Sequence, residues 1–301
     1  MSEKLPRVSV GLPVYNGEDY VAQAIESILK QTFIDFEFII SDNCSNDHTE
    51  KICLEYARRD PRIRYYRQPK NLGATPNENF LVGKARGEYF IWINHDDVFG
   101  TALIEKAVKI LDRRASVMVA YGKMVTIDRT GAMIKEVKIG AELLNAAPYR
   151  RFARCVILEN CVHAALGLFR TAGLRRILPN QPYPGSDHPM MAEVALIGEL
   201  FEIPENLFFR RIHPKSSLKA NTDNRARKLW FDSSFSGGRE HPFWLRYKQF
   251  IQAVLRHKEI GILEQILCLL IIQLWPIQQF RNVVGKMRRR IILKLWPNLA
   301  V

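Results

Sequence analysis

The pattern of apolar and polar positions repeats one unit through the first 111 residues, a short apolar run followed by a segment with helical spacing. The apolar runs predict strands at residues 8–12, 36–40, 62–66 and 88–93. Apolar residues three and four positions apart predict helices at about 20–29, 49–59, 76–85 and 103–111. Because strands and helices alternate with short connections, the sequence predicts an α/β fold with a mostly parallel, doubly wound sheet.

Polar clusters follow three of the predicted strands directly, at residues 13–16, 42–47 and 94–97. In an open α/β sheet, ligands bind beyond the carboxyl ends of the strands, so these clusters are expected to meet around one ligand. The adjacent acids Asp96 and Asp97 offer hard oxygen donors that suit Mg²⁺ or Mn²⁺ carrying a diphosphate. Taken alone, such a pair of acids is also typical of a solvated loop.

Glycine-rich phosphate loops do not occur in the sequence. No GxGxxG follows the first predicted strand, and no GxxxxGK[ST] occurs anywhere in the 301 residues. The backbone cradles of dinucleotide-binding and P-loop proteins are therefore excluded, and a divalent cation is expected to hold the phosphates instead.

The composition is that of a globular protein, because 47% of the 301 residues are apolar and can form a substantial core. The five cysteines form no CxxC pair and no Cys/His spacing typical of zinc sites, so we expect reduced, mostly buried thiols. These cysteines are Cys44, Cys53, Cys155, Cys161 and Cys268. Since no apolar signal segment precedes the first strand, we expect a cytoplasmic protein.

Positive charge is concentrated in the carboxyl-terminal quarter of the chain. Residues 225–301 contain 14 Lys and Arg against four Asp and Glu, which gives +10 of the total net charge of +13. We therefore predict a nearly neutral body at 1–224, with a nucleotide half at about 1–100 and an acceptor half at about 101–224. Residues 225–301 are predicted to be a basic helical appendage that approaches an anionic partner.

Within this appendage, residues 260–277 place apolar side chains on one side of a helix and polar ones on the other. The uninterrupted apolar run, residues 266–272, is shorter than the roughly 20 residues that span a bilayer, which favours a helix in the membrane plane. Six cations that suit anionic lipid follow it, namely Arg281, Lys286, Arg288, Arg289, Arg290 and Lys294. The alternative is a helical hairpin packed on the body or on a second subunit, and the sequence assigns no oligomeric state.

Several motifs occur in a fixed order over about the first 220 residues. They are VSVGLPVYN (8–16), IISDNCSNDHT (39–49), NLG (71–73), ARGEY (85–89), NHDD (94–97), SD (186–187) and RRIHP (210–214). Together they resemble the motifs of the inverting family 2 glycosyltransferases, which have the GT-A fold. The resemblance implies transfer of a sugar from a nucleoside-diphosphate sugar, most simply a UDP-sugar, with Mn²⁺ or Mg²⁺ as cofactor.

The resemblance also implies roles for individual residues. Those bordering the nucleotide are Pro13, Tyr15 and Glu18, with Asp42 accepting hydrogen bonds from the base and Asn94 reaching a ribose hydroxyl. Asp96 matches the metal-binding acid of the DxD signature, with Asp97 and His213 as further metal ligands. Asp187 matches the general base, which would deprotonate the acceptor hydroxyl.

Two positions depart from the family pattern. Asn94 stands where the DxD signature opens with Asp, so the cation has one charged ligand fewer. Cys44 stands where the second loop commonly has Gly, a residue that tolerates positive φ.

Structural roles compete with the catalytic ones at three residues. Asp187 could instead cap the helix that follows it, and His213 could be a structural residue at a strand end. Residues 141–169 are expected to form the acceptor side, where His163 is either an acceptor contact or a buried, satisfied histidine.

The sequence thus predicts an inverting, metal-dependent glycosyltransferase on the inner face of the cell membrane, acting on a glycan or a lipid-linked acceptor. A nucleotidyltransferase shares the α/β plan but needs a basic, glycine-rich loop after the first strand, which residues 13–17 do not supply. A non-catalytic protein that binds nucleic acid through the basic tail is the other alternative. We expect no nucleic-acid partner, because the acids at the predicted ligand site would repel a phosphate backbone.

Overall fold

A computed structural model describes residues 5–137, 143–144, 146–158, 161–177, 179–216, 220, 223–237 and 241–295, with side chains described as far as Arg281. The strands are β1 (Val8–Val14), β2 (Phe36–Asp42), β3 (Ile63–Arg67), β4 (Tyr89–Trp92), β5 (Val98–Phe99), β6 (Val117–Ile127), β7 (Met133–Val137), β8 (Leu168–Arg170) and β9 (Glu199–Arg211).

Among the described residues, four helices connect the first strands and six lie in the second half of the chain. They are α1 (Val21–Leu29), α2 (Thr49–Arg59), α3 (Ala74–Lys84), α4 (Leu103–Arg113), α5 (Pro148–Ala153), α6 (Thr171–Ile177), α7 (Asp187–Ile197), α8 (Asn224–Phe231), α9 (Pro242–Arg256) and α10 (Ile262–Leu295). A π-helical turn (Arg154–Leu158) and a 3₁₀ helix (Cys161–Leu166) lie between α5 and β8.

The described strands form one nine-stranded sheet in the order β3-β2-β1-β4-β8-β6-β9-β5, with β7 paired to β6. The first four strands in this order are parallel, and Val8 of β1 lies beside Phe36 of β2 and Tyr89 of β4. The predicted α/β fold is therefore confirmed. Because β1, β2 and β4 run in the same direction, the loops that follow them meet at one edge of the sheet.

The second half of the sheet mixes directions, which the alternation of the first 111 residues does not predict. Strand β8 is antiparallel to both β4 and β6, whereas the long strands β6 and β9 are parallel to each other. Strand β9 therefore ends on the same side as β6, at Arg211. This brings the chain from a distant part of the sequence back to the edge where β4 ends.

A buried polar junction fixes the entry to β4. The Ser9 hydroxyl donates to Glu37 Oε1 at 2.6 Å and accepts from the backbone N–H of Gly87 at 2.8 Å. The same carboxylate is paired with Arg64 and Arg86 at 2.5 and 3.0 Å. Since one acid is bonded by groups from β1, β3 and the segment before β4, the register of the parallel strands is held at their amino ends.

The carboxyl-terminal helices pack on the body rather than standing apart from it. Glu193 of α7 accepts hydrogen bonds from the side chains of His257 and Arg256 at 2.8 and 2.9 Å. On α10, Trp275 is 1% exposed and its ring stacks on that of Phe243 in α9, with centroids 4.7 Å apart. One side of α10 thus belongs to the core of the protein.

Helix α10 contains a stretch, Ile262–Arg281, that is long and apolar enough to cross a membrane by length and composition. The expectation that this region is too short to span, which rested on the run 266–272, is therefore wrong as an argument from length. The packing of α10, and not its length, distinguishes a helix that spans the membrane from one that lies in the membrane plane.

The cysteine expectation is also corrected in part. The structure joins Cys155 and Cys161 in a disulfide that connects the π-helical turn to the 3₁₀ helix. The other three cysteines are free thiols, and Cys53 and Cys268 are fully buried, as expected. Spacing motifs missed the pair because a six-residue separation matches no metal or redox signature.

We expect Gly87→Ala to destabilise the protein by about 1–3 kcal/mol, because a Cβ there would lie 2.6 Å from the backbone nitrogen of Ser9, which cannot move without breaking the sheet. Gly83→Ala is the matched control, since the same methyl group in α3 would meet no atom within 4 Å. It should leave the free energy of unfolding unchanged or raise it by up to about 1 kcal/mol. Urea denaturation of both variants checks this, and equal stability of the two would contradict the packing argument.

Candidate active site

A cavity of about 790 Å³ opens at the edge where β1, β4 and β9 end. Its walls come from the loops after these three strands, from the start of α3 and from α8. The lining includes Pro13, Tyr15, Asn43, Asn77, Glu78, Asn94, His95, Asp96, Asp97, Arg210, His213 and Trp230. The volume suits a ligand of sugar-nucleotide size.

Asp96 and His213 form a pair in this lining. The Asp96 Oδ2 atom lies 3.0 Å from His213 Nε2, and the histidine is 6% exposed. The His213 ring also contacts the ring of Tyr20, with centroids 4.9 Å apart. The two predicted metal ligands, 117 residues apart in the chain, are therefore in direct contact on the cavity wall.

Asp97 points into the protein at the base of the same loop. Its Oδ2 accepts from the Asn94 amide at 2.7 Å, and its Oδ1 accepts from the backbone N–H of Arg211 at 2.8 Å. Burial, together with the negative charge of Asp96, raises the pKa of Asp97 to about 7. Both oxygens of Asp97 and the amide of Asn94 thus already have partners within the protein, whereas Asp96 is turned towards His213.

The Arg211 side chain completes this connection. Its guanidinium donates to the backbone oxygens of Asp96 and Asp128 and to the side chain of Gln23, at 2.8 to 3.1 Å. It also lies over the Tyr20 ring, 4.7 Å from the centroid. One buried arginine therefore joins the end of β9, the loop after β4 and helix α1.

Asp42 lies beside the cavity but is fully buried and does not line it. Its oxygens accept from the Ser45 backbone N–H at 2.8 Å, the Tyr65 hydroxyl at 2.8 Å and Arg67 at 3.0 Å. The next loop residue but one, Cys44, has φ of 64°, so this cysteine adopts the left-handed backbone that the family pattern assigns to Gly. The carboxylate of Asp42 thus holds the shape of this loop.

The residues predicted to border the nucleotide divide into two groups. Pro13 and Tyr15 line the cavity, and the Tyr15 side chain is 40% exposed. Glu18 lies outside the lining, where its carboxylate accepts from the backbone N–H of His48 at 3.0 Å and contacts the His48 ring at 2.7 Å. These bonds hold the pKa of Glu18 below its ordinary value.

Asp187 is the first residue of α7, and its Oδ1 accepts from the His188 backbone N–H at 3.1 Å. A carboxylate in the first turn is also favoured by the helix dipole, so the capping interpretation and the catalytic one remain compatible. Asp187 does not itself line the cavity, but its negative charge acts on Glu78, which does. Asp187 therefore lies outside the cavity lining but close enough to Glu78 for its charge to act there.

Glu78 is a residue that the sequence reasoning did not single out. Burial, followed by the charge of Asp187, raises its pKa to about 7. It lies in α3 between Asn77 and Asn79, where a run of three polar residues in a helix facing the sheet could have marked it. Below about pH 7 the Glu78 carboxyl is mostly neutral and can donate a hydrogen bond at the cavity wall.

His163 and Arg210 belong to the same neighbourhood. Burial, followed by the positive charge of Arg210, lowers the pKa of His163, and Asp187 opposes this effect. Arg210 lines the cavity and its charge also reaches Asp97. His163 is therefore half-buried near the predicted base, and Arg210 adds a cation that the sequence reasoning quoted only as part of a motif.

Helix α8 forms a wall of the cavity through Ala226, Leu229 and Trp230. It rests on Gly73, whose φ is 89°, so closely that a Cβ there would lie 2.6 Å from the Phe231 backbone oxygen. The segment after the helix is bound as well, since the Ser233 hydroxyl donates to the Asn71 backbone oxygen at 2.6 Å. Residues placed by charge in the basic appendage thus contribute to the site.

Among the described residues, no group of three or more His, Cys, Asp or Glu side chains is placed to hold a metal ion. Asp96 and His213 offer two donors at the cavity wall. Mg²⁺ and Mn²⁺ sites that carry substrate phosphates commonly have only one or two protein ligands, so this pair fits such an ion.

Several known proteins are similar to this chain in sequence. An uncharacterised glycosyltransferase of Haemophilus influenzae is 28% identical over 233 residues, covering 75% of this chain and 72% of its own. One from Methanocaldococcus jannaschii is 36% identical over 135 residues, and the match covers 44% of this chain and 47% of that protein. This chain spans 22% of a third such relative, from Rickettsia felis.

Two solved structures share the fold. Staphylococcus aureus TarS 1–349 in complex with UDP-GlcNAc has a TM-score of 0.64 at 17% identity, covering 97% of this chain and 76% of that one. The mannosyltransferase PcManGT from Pyrobaculum calidifontis, in complex with GDP-Man and Mn²⁺, has a TM-score of 0.54 at 14% identity, covering 98% and 88%. Residues 9–172 match the model of glycosyl transferase family 2, and the chain belongs to that family.

Proposed function

We propose that this enzyme is an inverting, metal-dependent glycosyltransferase that moves a sugar from a nucleoside-diphosphate sugar, a UDP-sugar in the first instance, to a hydroxyl group. The observation that carries the proposal is a single cavity bordered by the Asp96–His213 pair and by Glu78, which senses the charge of Asp187. The sugar nucleotides bound by TarS and PcManGT support a donor of this class.

The acceptor in this proposal is a lipid-linked or surface glycan, and the enzyme works at the cytoplasmic face of the cell membrane. Supporting this, the net charge of residues 225–301 is +10 and α10 carries an apolar surface beside the body. Attraction between basic segments and anionic lipid would concentrate the enzyme where such acceptors are found.

The leaving diphosphate carries negative charge that the site has to stabilise. Asp96 and His213 would hold a divalent ion, which when bound acts as a Lewis acid towards the phosphate oxygens. The Mn²⁺ of PcManGT supports this assignment. Arg210, which lines the cavity, adds a fixed positive charge that favours the diphosphate when the bond to the sugar breaks.

The acceptor hydroxyl has to lose its proton as it attacks the anomeric carbon. In the proposal, Asp187 accepts that proton while the oxygen forms the new bond and the diphosphate leaves from the opposite face, which inverts the configuration. Below about pH 7 most of Glu78 is protonated, because burial and the charge of Asp187 raise its pKa to about 7. The pair therefore supplies one proton acceptor and one neutral acid, which donates a hydrogen bond to a substrate oxygen.

Asp187→Asn should reduce turnover by about 10²–10⁴-fold while leaving nucleotide affinity unchanged, because the amide retains the bond to the helix but cannot accept the proton. The measurement is release of nucleoside diphosphate from a panel of sugar nucleotides, with calorimetric binding of UDP alongside. Glu205→Gln is the control, because it also removes one carboxylate but at a side chain that is 49% exposed. It should behave as wild type. Full activity of the Asp187 variant would mean that Asp187 is only a cap.

Asp96→Asn should raise the Mn²⁺ concentration that gives half-maximal activity by about tenfold or more, because it removes the charged ligand of the pair. Asp97→Asn should instead lower the free energy of unfolding with little change in the metal requirement, since both Asp97 oxygens are bonded inside the protein, one to Asn94 and one to the backbone of Arg211. Metal titrations of activity, with EDTA as the zero point, separate the two. A larger effect of Asp97 than of Asp96 would reverse the assignment of the metal ligand.

Glu78→Gln should stabilise the protein at pH 8 by about 1–2 kcal/mol relative to wild type, and the difference should vanish near pH 4. The folded protein binds a proton at Glu78 that the unfolded chain releases as pH rises from 4.5 to about 7, so wild-type stability falls through that window. The pKa of Asp97 is also raised, so ionisation of Asp97 lowers the stability over the same pH range. The Glu78 variant therefore reduces the pH dependence of stability without abolishing it. Thermal unfolding from pH 4 to 8 checks the prediction, and Glu205→Gln should track wild type throughout.

A further inference from the structure

Helix α10 presents a continuous apolar face to solvent. Within the part of the chain that the structure describes, seven large apolar side chains on it are between 49% and 78% exposed. They are Ile262, Leu263, Ile266, Leu270, Leu274, Ile277 and Phe280, which we call the outer stripe. A contiguous patch of this kind on a folded protein marks a surface that is covered in use.

The stripe has the geometry of a planar contact. With 3.6 residues per turn, its seven members fall within an arc of about 120° and extend about 27 Å along the helix axis. The opposite side carries Cys268, Ile272 and Trp275, which are at most 1% exposed and pack on the body. The helix therefore has two apolar faces, of which the protein covers one.

Charge is arranged around the stripe rather than in it. Between residues 262 and 280 the sequence has one charged residue, Glu264, whose Oε2 accepts from the Tyr149 backbone N–H at 2.8 Å on the body side. Six cations and no acid follow between residues 281 and 294 of the same helix. The side chains of these cations beyond Arg281 lie outside the described residues.

We propose that the outer stripe docks in the plane of an anionic lipid surface, with the apolar side chains entering the region between headgroups and acyl chains. Apolar area and the cations that follow it then act together, which is what binds in-plane helices to such surfaces. This docking surface rests on the membrane location in the proposed function and specifies the part of the chain that makes the contact, and it does not depend on the chemistry of the cavity.

A transmembrane position conflicts with the packing of α10. Trp275 is stacked on Phe243 of α9, Glu264 is bonded to Tyr149 of the body, and Gln273 accepts from the hydroxyl of Tyr247 on α9 at 2.9 Å. A helix that crossed the bilayer would have to break these contacts or draw the catalytic body into the membrane. Lying in the plane leaves all of them intact.

A second copy of the chain would bind the outer stripe less favourably than lipid would. Two stripes packed in parallel would bring together two sets of six cations, with no acid between residues 281 and 294 to offset their repulsion. An anionic surface turns the same charges into attraction. Trp244 on α9, which is 57% exposed and in ring contact with Tyr247, adds a side chain of the type that favours a lipid–water interface.

The test is flotation of the purified full-length chain with vesicles of phosphatidylcholine, either pure or mixed with phosphatidylglycerol. We expect the wild type to float with the mixed vesicles, and Leu270→Gln with Leu274→Gln to weaken this partition by about tenfold or more. Ile34→Gln is the matched control, because Ile34 is an apolar side chain 76% exposed outside the stripe, and should float as wild type. Donor hydrolysis in solution should be equal in all three proteins, which establishes that the double variant is folded.

Several results would overturn the proposal. The wild type could fail to float with the mixed vesicles, or the double variant could float as well as wild type. Light scattering could reveal a wild-type dimer that the double variant dissociates, which would make a second copy the occupant. Release from cell membranes only by detergent, and not by alkaline carbonate, would mean that the helix spans the bilayer.

Discussion

The site depends on one buried contact, between the Asp97 carboxylate and the backbone of Arg211, 114 residues further along the chain. Asp97 closes the loop after β4, and Arg211 ends β9, so this bond joins the parallel half of the sheet to the half with mixed strand directions. The Arg211 guanidinium strengthens the joint by binding the loop backbone at Asp96. Asp96 and His213 can face each other across 3.0 Å because the residues beside them are fixed in this way.

The sequence predicted the parallel half of the fold because its signals are local. Apolar runs and helical spacing identified β1 to β4 with α1 to α4, and polar residues at the strand ends marked one edge of the sheet. The antiparallel strand β8 and the pairing of β6 with β9 depend on contacts between distant segments, which no local pattern encodes. The wall formed by α8 was missed for the same reason, since net charge placed it in an appendage.

The hydrogen-bond partners of the predicted site residues, and not their residue types, determine which of them face the cavity. Asp42, Asp96 and Asp97 are the same residue type and all follow or end strands, but Asp42 bonds Tyr65 and Arg67 inside the fold, and Asp97 bonds Asn94 and Arg211. A residue type and a spacing identify which segments meet. They do not state which of several carboxylates turns towards the cavity, because that depends on donors supplied from elsewhere in the chain.

Helix α9 is shared by two parts of the molecule. On one side, Tyr183 in the loop before Asp187 bonds Gln249, and the Arg246 guanidinium lies against Gly185. On the other side, the Tyr247 hydroxyl is bonded to Gln273 of α10. In the proposed arrangement, a plane on which α10 rests would therefore set the height of Asp187 above it, and the enzyme would favour acceptors whose reactive hydroxyl stands at that height.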